Sequence, residues 1–275
     1  MTGRSIAAQQ QVTVRDILDL ERYPIDRPES AEAKALVARC RADLDVDGMF
    51  NLEGLVRTDI IARCAAELQP LLDCQSYTHK RRHNVYFLRN VEGLSPDHPA
   101  LREVETVNHT LCADQIENTI IDRVYRWRPL VDFLAVVMER PQLYLMNDPL
   151  AAVNVIAYGA GEALNWHFDR SHFTTTLLIQ TPESGGDFQY RSELRSDTDP
   201  NYDGVARLLR GEDAAVRTLP LKPGTLNVFK GKNTLHRVSP PVGDRARIVA
   251  IFSYYDRPGV VFSAEERLGF YGRAN

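Results

Sequence analysis

Between about residues 141 and 258 the chain breaks into short segments rich in β-branched and aromatic residues, each closed by a turn signal. "QLYLM", "AAVNVIAYG", "NWHFDRSHFTTTLLIQ", "GDFQY", "VRTLPL", "GTLNVF", "TLHRVSP" and "RARIVAIFSYY" are divided by "GAGEA", "TPESGG", "KPG", "GKN" and "PPVGDR". Side chains of the first kind pack well on a pleated surface, while Gly, Pro, Asn and Asp supply turn conformations. Six to eight strands at this spacing predict a sandwich or barrel. The polar stretch 191–214 reads as an insertion, a long loop or a loop with a short helix over the barrel mouth, and 259–275 as a C-terminal tail.

The upstream part, 13–140, reads as mainly helical. "SAEAKALVARCRADL" has helix-forming composition, and "RTDIIARCAAELQPLLD" places Ile61, Cys64, Leu68 and Leu72 on one stripe. Two more helices are expected near 99–116 and 127–139, with Pro129 tolerated in the first turn of the second, and "GMFNLEGLV" reads as a strand. Residues 1–12 lack any period and are expected to be disordered. The whole chain, 1–275, is therefore expected to be one α+β domain, a barrel buttressed by N-terminal helices.

Composition excludes several functions. With 44% hydrophobic and 25% charged residues the chain is ordinary globular material, and a net charge of −4 argues against a nucleic-acid partner. The four cysteines, Cys40, Cys64, Cys74 and Cys112, match neither a metal-binding CxxC pair nor a disulfide framework, so they read as reduced thiols. The N-terminus has no apolar signal core, and no apolar run approaches the ~18 residues of a membrane span. A cytoplasmic protein with no membrane partner is expected.

The chemistry concentrates in "NWHFDRSHFT". Side chains at i and i+2 of a strand share a face, so His167 and Asp169 project together. His172 falls on the opposite face and is the alternative to His167. The best third ligand is His236 in "KNTLHRVSP". Two histidines and one carboxylate make the facial triad of non-haem Fe(II) sites, which leaves coordination positions open for substrate and oxygen. Arg247 opens an apolar strand eleven residues after His236, where a lone guanidinium suits bidentate capture of a carboxylate; Arg245 shares its face and competes.

The order "HFD … H … R" in a run of short strands resembles the Fe(II)/2-oxoglutarate-dependent oxygenases of the double-stranded β-helix (jelly-roll, cupin-like) fold, over roughly residues 150–256. The resemblance implies that His167, Asp169 and His236 hold Fe(II), and that Arg247 binds the distal carboxylate of 2-oxoglutarate. Where a frequent family pattern has Ser two residues after that arginine, this chain has Val249; Tyr158 or Thr176 is expected to supply the hydroxyl. "AYGAGEALNWHFDRSHFTTTLLIQ" with "PGTLNVFKGKNTLHRV" is further similar to bacterial enzymes acting on free amino acids, the lysine-type hydroxylases and related halogenases. The halogenases have Gly or Ala where Asp169 stands, so chlorination is disfavoured.

The activity implied is hydroxylation of an unactivated C–H of a free amino acid or amino-acid-like molecule, using Fe(II), 2-oxoglutarate and O2, with succinate and CO2 as co-products. Oxidative ring closure (cyclopropane or aziridine) or desaturation in a natural-product pathway is the alternative, and a non-oxygenase metal-binding barrel stays open behind it. Arg170, and Arg81, Arg82 and His83 in "KRRHNVYF" before a β-like run, are the candidates for gripping the substrate. The expected partner is that small molecule, and a homodimer is allowed.

Overall fold

The computed structural model describes residues 13–275, so the expectation of disorder over 1–12 lies outside the described residues. The long helices form where the apolar spacing placed them. Ser30 caps Ala31–Asp47, its Oγ accepting from Ala33 N at 3.1 Å, and Gly48 ends the helix in the left-handed region that a glycine adopts without strain. Thr58–Gln75 buries the Ile61, Cys64, Leu68 and Leu72 stripe, and Arg128–Val137 carries Pro129 in its first turn. These helices cover one face of a seven-stranded antiparallel sheet. Its order is Met49–Leu52, Leu226–Phe229, Thr174–Gln180, Arg247–Phe252, Val153–Tyr158, Val104–Leu111 and Tyr77–His83. Alternate residues of each strand, such as Ile248, Ala250 and Phe252, join Leu68, Leu130 and Leu134 from the helices in one apolar cluster.

A smaller sheet, ordered Arg217–Leu219, Phe188–Arg191, Leu235–Val238 and Leu164–His167, completes the double-stranded β-helix. Phe188, Tyr190 and Val238 from this sheet pack against Met49 and Phe229 from the larger one, which closes one end of the space between them. The insertion contains the helix Tyr202–Leu209, whose Val205 and Leu208 pack on Val85, Phe168 and Leu235.

Four expectations are corrected. Residues 99–116 are not a helix: Val104–Leu111, "VETVNHTL", is a strand between two others, because its alternating β-branched residues suit a ladder better than a helix. "KRRH" does not precede a strand but ends one, Tyr77–His83, at the sheet edge, where charged side chains discourage further pairing. With Met49–Leu52, these strands make the N-terminal part a contributor to the barrel as well as its buttress. "NWHFDRSHFTTTLLIQ" is two strands in different sheets, Leu164–His167 and Thr174–Gln180, and 168–173 crosses between them. The tail contains the helix Ala264–Tyr271, with Tyr271 buried. Among the described residues no helix is long and apolar enough to cross a membrane.

Candidate metal centre

His167 is the last residue of its edge strand, and the ladder sets it directly opposite His236. Their ring centroids stand 4.2 Å apart. Asp169 follows two residues later, after the chain has left the ladder, so strand alternation is not what aims it. Its backbone N–H donates to Gly231 O at 3.1 Å, and this tether returns the carboxylate toward both rings. Asp169 Oδ1 lies 3.3 Å from His167 Nε2, and Oδ2 lies 3.6 Å from His236 Nε2. One ligand atom from each of the three residues falls within 4.8 Å of the other two, which suits one bound cation.

The outer contacts orient both rings. His167 Nδ1 meets Asn165 O at 2.8 Å and His236 Nδ1 meets Thr234 O at 3.0 Å. A carbonyl only accepts, so each Nδ1 donates, and each Nε2 is the atom turned toward Asp169. Burial first, and His167 second, push His236 down to about 4. Burial alone would raise Asp169, but His236, His167 and a hydrogen bond from Thr174 Oγ1 outweigh it and hold the carboxyl well below its usual range. Two imidazoles and a carboxylate thus converge on one point, the donor set of a facial metal site. Gly231 leaves room for this: a Cβ there would lie 2.3 Å from Thr174 Oγ1 and 2.6 Å from Asp169 Oδ2. His172 is exposed against Phe173 and takes no part.

Arg247 opens its strand opposite Tyr158, facing the space between the sheets. It is buried; its Nε donates to Gly186 O at 3.0 Å, and no carboxylate among the described residues pairs with it. Burial pushes it down to about 10, with Tyr158 and Asp187 opposing through space. A buried guanidinium left without a counter-ion is costly, so a site that keeps one is shaped for an incoming anion. Arg245 is exposed and donates to Pro182 O, which separates the two competitors. Tyr158 is fully buried between Arg247 and Arg81, and burial pushes its hydroxyl up to about 12. Thr176 Oγ1 has only Asn227 O, at 3.5 Å, the outer limit of a hydrogen bond.

The substrate candidates separate by strand alternation. Arg82 points outward, exposed, toward Glu103 at 3.5 Å. His83 points inward, its ring 6.4 Å from that of His167, with Nε2 on Thr106 Oγ1 at 2.7 Å and Nδ1 on Asn84 O at 3.0 Å. Burial pushes it down to about 4, so it is a neutral ring with both nitrogens engaged. Arg170 is exposed and paired with Glu266 at 2.9 Å. Arg81 lies inward with its Nε buried and without a hydrogen-bond partner, between the rings of Phe87 at 4.7 Å and Phe270 at 5.7 Å. Thr174, Gly231, Phe87 and Phe270 went unread in the sequence. Only Thr174 carried a signal, as the first β-branched residue after the HxD.

Residues 32–260 match the family model described as Halogenase D. The chain belongs to that family. Among curated proteins no match is found. Solved structures show the same fold at low identity. An oxidoreductase of the 2OG-Fe(II) oxygenase family from Burkholderia pseudomallei aligns with a TM-score of 0.51 at 12% identity, over 82% of this chain and 92% of that one. SnoN, a non-haem α-ketoglutarate-dependent epimerase from nogalamycin biosynthesis, aligns at 0.55 and 16%, over 81% and 83%. HygX from Streptomyces hygroscopicus, solved with nickel, 2-oxoglutarate and hygromycin B, aligns at 0.55 and 12%, over 85% and 95%. This Halogenase D chain thus has the double-stranded β-helix of the 2-oxoglutarate oxygenases, with a His-Asp-His ligand group in it.

Proposed function

We propose that this chain is an Fe(II)/2-oxoglutarate-dependent oxygenase that hydroxylates an unactivated C–H of a free amino acid or a similar small molecule. The observation that carries the reading is Asp169. Its carboxylate occupies the ligand position that a halide would need, and Thr174, Gly231 and both histidines hold it there. The family description names a halogenase, but a filled third position favours oxygen transfer over halide transfer. Bound Fe(II), with 2-oxoglutarate and O2, supplies the oxidising power to replace a C–H hydrogen by hydroxyl, giving succinate and CO2.

The chain's own residues bind and orient. His167, Asp169 and His236 would hold the metal, each offering one ligand atom. Arg247, with Tyr158 opposite it in the ladder, takes the distal carboxylate of 2-oxoglutarate by charge-assisted hydrogen bonds, whereas Thr176 stands opposite Ile251, four residues further along. Arg81 takes the carboxylate of the amino acid, its fork flanked by Phe87 and Phe270. It displaces Arg82 from that role, and Arg170 lies at the rim. His83 acts as a neutral wall beside His167 rather than as a substrate ligand.

The test begins without oxygen. Fe(II)-loaded protein given 2-oxoglutarate should develop a visible charge-transfer absorption. Admitting O2 with free amino acids in chloride buffer should release succinate and yield a product heavier by one oxygen, with no chlorine. A product lighter by two hydrogens would replace hydroxylation by ring closure or desaturation. Neither absorption nor succinate would sink the oxygenase reading and leave the metal-binding barrel.

A further inference from the structure

The Halogenase D match ends at residue 260, but the chain continues into the helix Ala264–Tyr271, and that helix reaches the rim of the metal site. Its position is set from several directions. Arg267 Nε donates to the buried Asp148 carboxylate at 2.9 Å, and Tyr271 hydroxyl donates to Asn154 Oδ1 at 2.9 Å. Arg273 binds both oxygens of Asp114, at 2.8 and 2.6 Å. Gly272 sits so close to Tyr77 that a Cβ would lie 2.3 Å from its ring. A helix tied down in this way is a fixed wall.

This wall presents Phe270 and Glu266. The Phe270 ring has Arg81 Cζ and Arg170 Cζ each 5.7 Å from its centroid, while Glu266 Oε1 accepts from Arg170 at 2.9 Å. The two arginines therefore differ. Arg170, next to the metal ligand Asp169, is neutralised by Glu266. Arg81 is held by its faces, between Phe270 and Phe87, and its buried Nε has no hydrogen-bond partner.

We propose that the C-terminal helix selects the substrate of this enzyme: Phe270 orients Arg81 toward one carboxylate, and Glu266 keeps Arg170 from receiving a second. The site then takes free amino acids with a single carboxylate and rejects amino dicarboxylic acids, whose second anion would meet the Glu266 carboxylate rather than a free cation. This rests on the proposed function, in which Arg81 takes the substrate carboxylate.

The experiment is anaerobic calorimetry of the protein loaded with Fe(II) and 2-oxoglutarate, titrated with each of the twenty common free amino acids. Wild type should bind a member with one carboxylate and neither aspartate nor glutamate. Phe270→Ala should weaken that binding by about tenfold or more while 2-oxoglutarate affinity holds, and Phe270→Tyr should restore it. Glu266→Gln keeps the capping arrangement with Ser263, since Gln serves there as well as Glu, but it releases Arg170. It should shift the affinity ratio toward aspartate and glutamate by about tenfold. An unchanged ratio, or a Phe270→Ala variant that loses 2-oxoglutarate and amino acid equally or loses neither, overturns the role of the helix alone. Wild type that binds no amino acid overturns the proposed substrate class and this inference with it.

Discussion

The two faces of the seven-stranded sheet are built from the same strands and follow opposite rules. On the helix side Ile248, Ala250 and Phe252 alternate into a continuous apolar core with Leu177, Val155 and Leu68. On the inner side the same strands carry Arg247, Tyr158, Thr176 and Asn227. Asn227 Oδ1 and Arg81 Nε are buried there without partners, and Arg247 has a single backbone acceptor. The first face stabilises by area removed from water; the second leaves polar groups short of partners, at a cost in stability. Fold and chemistry are thus separable in this molecule by side-chain direction, one residue apart along each strand.

That separation can be broken from either side. The largest effect is expected from His236→Ala, which should lower Fe(II) affinity by more than about a hundredfold in anaerobic titrations, beyond what loss of an outer contact causes. Thermal stability of the metal-free variant should stay near wild type. Arg247→Met should lower 2-oxoglutarate affinity by about a hundredfold, read by the visible absorption, while the melting temperature holds or rises because a buried unpaired charge is gone. A large fall in melting temperature would mean that the inner face also carries the fold.

Leu177→Ala tests the opposite face. It should cost about 2–5 kcal/mol in denaturant unfolding and leave 2-oxoglutarate affinity of the folded protein unchanged. Thr174→Val should weaken Fe(II) binding by about tenfold, and Thr174→Ser should restore it, as expected of a hydroxyl that orients a ligand. The smallest effect is a pH dependence. His83 is pushed down to about 4, so between about 6.5 and 4 the unfolded chain binds a proton that the folded one refuses. Stability should therefore be present above about 6.5 and fall by a few degrees in melting temperature on acidification through that window. His83→Gln should reduce the slope of that limb in the metal-free protein, with His236 supplying the remainder; an unchanged slope would remove His83 as a contributor.

Much of the site was legible because its spacing is itself a geometric statement. HxD, a later strand histidine and an arginine eleven residues beyond it needed no structure to be joined, and the structure brings the three ligands to within 4.8 Å. Legibility failed where local pattern is ambiguous. The segment 99–116 carries apolar residues that fit either period, and only pairing on both sides makes Val104–Leu111 a strand. Arg81 and Arg82 are adjacent letters of one charge run, and which one faces the metal depends on the register of an edge strand. Spacing marks Asp169 as a ligand, but strand alternation is not what aims it. It lies beyond the ladder, and the Gly231 carbonyl, not alternation, turns it inward.

The sequence by itself determined the strand-rich half, the helical stripes, the ligand set and the absence of a small residue at position 169, because each is a matter of residue type at a fixed chain separation. Tertiary structure decided the rest. It split one apparent strand between two sheets, buried Arg247 while leaving Arg245 exposed, turned Arg81 inward and Arg82 outward, and brought Phe270 against Arg81. Those outcomes depend on which faces meet after the sheets close, and burial, pairing and counter-ion supply at such a meeting are properties of residues distant in sequence.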